Sequence, residues 1–172
     1  MIDTSFLLRP RVTDRDAATI AQQVTDSKVY ADELSLHRYR LLGFRFRIQN
    51  ARGPMRKLEG SEICAVVDPA TGTAMTADPW EIESSERPRP RGGDVSQEEV
   101  HACENAAQKA VYVSLVKHYR LASSFELVAK GAPHELWKPN WLFENDEIRI
   151  LIDGLNGEFA VRRRSRERTF SA

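Results

Sequence analysis

One pattern occurs twice in this chain and limits what it can fold into: an alternating apolar run ends in an aspartate, and a glycine follows four residues later. Ile63, Ala65 and Val67 lead into Asp68-Pro69-Ala70-Thr71-Gly72, and Ile148, Ile150 and Ile152 lead into Asp153-Gly154-Leu155-Asn156-Gly157. The two stretches align without a gap. Period-two alternation marks a strand with one buried face. An aspartate opening a glycine-containing turn accepts hydrogen bonds from backbone amides two or three residues on. Asp68, Gly72, Asp153 and Gly157 are therefore read as structural turn residues rather than as catalytic carboxylates, and each turn feeds a short returning strand.

The flanking elements repeat as well. Thr13 with Asp16 forms a capping signal, and Ala17, Ile20, Ala21 and Val24 follow at helical spacing, which predicts a helix over about 14–24. Ser96 with Glu99 forms a second capping box. Val100, Cys103, Ala107, Ala110 and Ser114 then define a helix over about 96–119. Before the first turn, Phe44, Phe46 and Ile48 alternate with Arg45 and Arg47; before the second, the segment from Trp137 to Phe143 reads as an aromatic strand. The predicted fold is α+β, with two helix-plus-antiparallel-hairpin repeats and each helix packed on its own small antiparallel sheet. A first repeat over 1–83, a Pro/Arg/Gly linker over 84–95, a second repeat over 96–162 and a basic tail over 163–172 complete this plan.

On its final turn, Ile152-Asp153-Gly154-Leu155-Asn156-Gly157-Glu158, and on the capped helix and strand pair before it, the second half resembles the PepSY family of cystatin-like α+β modules. The resemblance covers about 96–162 and, more loosely, 14–77. It implies a non-catalytic binding module. Such modules are mostly secreted or membrane-attached, whereas the opening MIDTSFLLRPRVTDRD lacks the basic region and apolar run of an export signal.

Charge narrows the partners. Lys plus Arg equals Asp plus Glu at 25 each, so no global field favours a nucleic acid or a membrane surface. No stretch approaches the roughly 18 uninterrupted apolar residues of a membrane span. A soluble, cytoplasmic protein with no membrane contact is expected. Cys64 and Cys103 are expected to be buried, reduced thiols.

Candidate chemistry is local. His37, His101, His118 and His134 are scattered, with no two at the spacing that aims a pair of ligands at one metal, so neither metal nor cofactor is expected. No phosphate loop, nucleophile elbow or cysteine–histidine signature is present, and no catalytic residue is assigned. Trp80, Trp137 and Trp141 are of the residue type that anchors interfaces, and His134 adds a titratable group beside them. These four are the expected partner- or ligand-binding residues. The reading is a protein-binding or assembly module that can also pair with itself as a dimer through strand edges. Two others stand beside it. One is a small-ligand protein or enzyme with a pocket near His134, Trp137 and Trp141. The other is a nucleic-acid binder using Arg38, Arg40, Arg45 and Arg47, interleaved with Tyr39, Phe44 and Phe46, and the run Arg162, Arg163 and Arg164.

Overall fold

A computed structural model describes residues 4–80, 82–84, 95–119 and 124–163, with backbone alone for residues 4 and 82–84. Two helices and nine strands lie among the described residues: β1 (Thr4–Leu8), α1 (Asp14–Thr25), β2 (Leu34–Gln49), β3 (Glu62–Val67), β4 (Ala74–Ala77), β5 (Ile82–Ser84), α2 (Gln97–Tyr119), β6 (Glu126–Ala129), β7 (His134–Glu144), β8 (Ile148–Asp153) and β9 (Phe159–Arg163). Short 3-10 turns cover Ala31–Glu33 and Gly53–Leu58. The linker expected over 84–95 and the tail over 163–172 fall almost wholly outside the described residues.

Both helices begin where local chemistry says they should. Thr13 Oγ1 accepts from the Asp16 amide, and the Asp16 carboxylate accepts back from the Thr13 amide. Ser96 and Glu99 make the same reciprocal pair at the start of α2. Each closes two of the amides that a helix start leaves without partners.

The chain forms two compact units that interleave along the sequence. The first comprises Met1–Leu8 and Arg40–Trp137; the second comprises Arg9–Tyr39 and Lys138–Ala172. In the first unit the strand order is β4-β3-β2-β7-β1-β5, with β6 pairing the end of β2. Only the β1–β7 pair is parallel among the registers described, with Thr4 opposite His134 and Leu7 opposite Trp137. Leu42, Phe44, Phe46 and Ile48 of β2 and Ala65 and Val67 of β3 form a core with Val100, Cys103, Ala107, Val111 and Leu115 of α2. In the second unit β7, β8 and β9 form an antiparallel meander. Phe143, Ile150 and Ile152 there pack against Ala17, Ala18 and Ala21 of α1.

This corrects the expected architecture. The protein is mostly antiparallel sheet, and it is not two helix-plus-hairpin repeats, because neither helix packs on its own hairpin. The helix of the first half, α1, lies on β8 of the second half; the helix of the second half, α2, lies on β3 and β4 of the first. Hydrophobic burial has no direction, so a helical stripe is satisfied by any apolar face that fits. The 23-residue α2 buries five residues at helical spacing and matches the long β2–β3 face. The 12-residue α1 offers three buried alanines and fits the smaller patch around Ile150.

No helix among the described residues is long and apolar enough to cross a membrane.

Candidate functional site

Two of the three tryptophans are used inside the fold. Trp137 is buried, and its indole nitrogen donates to Ser5 Oγ at 3.0 Å. Trp141 packs on the α1 cluster and donates to the Val12 carbonyl at 2.8 Å. An amphipathic ring with its polar atom satisfied in this way is an internal anchor. Trp80 and His134 do come together, with ring centroids 5.9 Å apart and edge to face. The Arg45 guanidinium lies 5.0 Å over the Trp80 ring, and Phe6 is 5.3 Å from His134. This cluster sits on the face of the first unit's sheet opposite α2. Gly43 makes room for it, since a Cβ there would meet Leu136 Cδ1 at 2.6 Å and Trp80 at 3.0 Å.

The arginines of β2 do not share a surface. Within the first unit, strand alternation puts Arg40 on the face opposite to Arg45 and Arg47, and Arg38 belongs to the second unit. Arg40 lies 3.6 Å from Glu135, a carboxylate whose side chain is 1% exposed. Arg47 pairs with Glu62 at 3.2 Å across the β2–β3 ladder, and Lys130 pairs with the same carboxylate. The hydrogen bond from Lys130, followed by that from Arg47, holds the Glu62 carboxyl below its usual 4.5. Arg162 and Arg163 stand exposed on β9, and Arg164 lies outside the described residues.

The two recurring turns have the same geometry. The Asp68 carboxylate accepts from the Ala70 amide at 2.9 Å and from Thr71 Oγ1 at 3.0 Å, and the Asp153 carboxylate accepts from the Leu155 amide at 2.9 Å. Gly72 and Gly157, at φ 70° and 77°, return an amide to the carbonyl of the aspartate that opens the turn. Asp153 also pairs with Lys138. Carboxylates committed in this way hold hairpins. Cys103 belongs to the core under α2, while Cys64, opposite Arg45 in the ladder, points to the other face of the sheet. The two thiols are thus separated by the sheet. Burial raises the pKa of each above 9.0. Among the described residues no three His, Cys, Asp or Glu side chains gather to hold a metal.

The region that stands out is β9, the short returning strand expected after the second turn, whose Phe159 and Val161 were not among the candidate site residues. It pairs with β8 alone among the described strands, and all five of its residues are exposed. Phe159 is 52% exposed and Val161 43%. The register places Phe159, Val161 and Arg163 on the face of Ile152, Ile150 and Ile148, and Ala160 and Arg162 on the face of Leu151 and Arg149. A cavity of about 220 Å³ is lined by Arg149, Leu151, Ala160 and Arg162 of that second face together with Tyr39 and Val161. Arg149 and Arg162 stand directly opposite each other. The Arg149 Nε lies 3.6 Å from Glu144. A larger polar cavity of about 440 Å³ lies at the end of α1, between Thr19 and Lys28. Neither cavity is lined by His134 or a tryptophan. The signal that could have singled out β9 was its composition: the alignment of the two turns gives each hairpin a last strand, and FAVRR is the one that holds an aromatic and two basic residues.

The chain matches no family model, no curated protein and no solved structure.

Proposed function

We propose that this protein is a non-catalytic binding module that takes up an extended segment of another protein along the open edge of β9. The observation that carries this reading is the exposure of the whole of β9, including Phe159 and Val161, at a strand that has a single neighbour among the described residues. Backbone amides and carbonyls on a free strand edge are strong hydrogen-bonding groups, and an added strand satisfies them in register.

The direction of those groups follows from the turn. The Asp153 amide donates to the Glu158 carbonyl at 2.7 Å, which makes this the first hydrogen-bonded pair of the β8–β9 ladder. Alternation then turns the backbone groups of Ala160 and Arg162 toward β8. Those of Phe159, Val161 and Arg163 are left on the open edge. Val161→Pro therefore removes an outward amide and leaves the β8–β9 ladder its own bonds.

The test is a photo-crosslinking amino acid placed at Phe159 in the full chain and activated in native lysate. The expected result is a discrete protein adduct that disappears when Val161→Pro is added. Background labelling alone, or an adduct indifferent to Val161→Pro, would remove the proposal.

A further inference from the structure

The chemistry around β9 also specifies what kind of segment fits it. Arg149 and Arg162 face each other across the β8–β9 ladder, an arrangement that costs stability in an isolated sheet. On the aligned β3–β4 hairpin the equivalent pair is Cys64 with Ala77, which carries no charge, and where an arginine faces a charged residue on β2 and β3 it is Arg47 opposite Glu62. Glu144 lies 3.6 Å from Arg149, and neither a hydrogen bond nor an ion pair from Arg162 is present among the described residues. Both arginines line a cavity of about 220 Å³ with Tyr39, 44% exposed, Leu151, Ala160 and Val161. The other face of β9 offers Phe159 and Val161, with Arg163 at its end, and no carboxylate. Within β9, Phe159 to Arg163, there are two arginines and no acidic residue, a net charge of +2.

We infer that the segment bound along β9 is an extended acidic peptide in which carboxylate and apolar residues alternate. This inference rests on the edge-binding reading above. In a strand added beside β9, residues on one face meet Arg162 and the Tyr39 cavity, and those on the other meet Phe159 and Val161. Carboxylates on the first face accept charge-assisted hydrogen bonds from guanidinium groups that otherwise repel one another. Apolar side chains on the second face cover Phe159 and Val161. A second copy of this chain would bring the same arginines to the edge, and like charges suppress that pairing. A nucleic acid can meet the arginines, but it lacks the alternating amides and carbonyls that the edge requires.

The experiment titrates the full chain with three labelled synthetic peptides, followed by fluorescence anisotropy. One alternates valine and glutamate, one alternates valine and lysine, and one has the glutamate sequence with backbone N-methyl groups on its bonding edge. The glutamate peptide is expected to bind at least ten times more tightly than the lysine peptide, and N-methylation is expected to abolish binding. Arg162→Glu is expected to reverse the preference while raising the thermal midpoint, because it replaces a like-charged pair with an opposite one; loss of binding in a more stable protein excludes misfolding as its cause. Equal binding of both charged peptides, still lost on N-methylation, would overturn the acidic preference and leave edge binding standing. No binding of any peptide, with the Phe159 crosslink intact, would also overturn it. Binding indifferent to N-methylation would sink both readings, as would concentration-dependent dimerisation through β9. Tight binding of anionic vesicles or single-stranded nucleic acid, unaffected by Val161→Pro, would do the same.

Discussion

The β3–β4 and β8–β9 hairpins share a turn and differ in what covers them. Each turn is closed by an aspartate accepting from turn amides and by a glycine at positive φ. Yet β4 lies under α2, and Ala74 joins the core, while β9 is exposed at every residue. The difference traces to the helices. α2 is long enough to reach across β3 to β4, whereas α1 is about half its length and reaches β8. The charges differ in parallel, with Arg47 opposite Glu62 near the covered hairpin and Arg149 opposite Arg162 in the open one. A turn shapes a hairpin; what lies on the hairpin decides whether it serves as scaffold or surface.

The largest test of that contrast sets two phenylalanines side by side. Phe46, 1% exposed beneath α2, should cost about 3–5 kcal/mol when replaced by alanine, measured by denaturant unfolding. Phe159→Ala should change stability by no more than about 0.5 kcal/mol. A Phe159 effect comparable to that of Phe46 would mean that β9 is covered. Gly72→Ala and Gly157→Ala sharpen the shared part of the comparison. Each forces a Cβ into left-handed backbone at about 1–2 kcal/mol, and a twofold difference between them would show that the turns are not equivalent.

Smaller effects concern charge. Arg162→Glu should stabilise the open hairpin by about 0.2–1 kcal/mol in low salt. At the covered hairpin, Lys130 and Arg47 hold the Glu62 carboxyl below 4.5, so its contribution is present above that pH and is lost as pH falls through the lowered value. Glu62→Gln should therefore flatten the acid dependence of the thermal midpoint below pH 4.5, with little change at neutral pH, because this exposed group is well screened.

Much of the local structure was legible. Thr13 with Asp16 and Ser96 with Glu99 announced both helix starts, and the aspartate–glycine spacing announced both turns, because these are short-range hydrogen-bond patterns written in adjacent residues. The pairing of helices with hairpins was not legible. Val100, Cys103 and Ala107 reveal an apolar stripe but not which strands it meets, since apolar surfaces carry no address. β1 escaped notice because it is short and lies parallel to β7, a partner some 130 positions away in sequence. Trp137 and Trp141 looked like interface anchors because composition cannot tell an indole bonded to Ser5 or Val12 from one facing a partner. β9 was visible as a strand, while its exposure depends on how far α1 reaches.

The most direct test of an open β9 edge is residue-resolved amide hydrogen exchange on the free protein. The ladder directs the Ala160 and Arg162 amides to β8, so they should be protected, while those of Phe159, Val161 and Arg163 should exchange at nearly the rate of an unstructured chain. Uniform protection of all five would contradict the account, because it would mean that something already pairs with this edge.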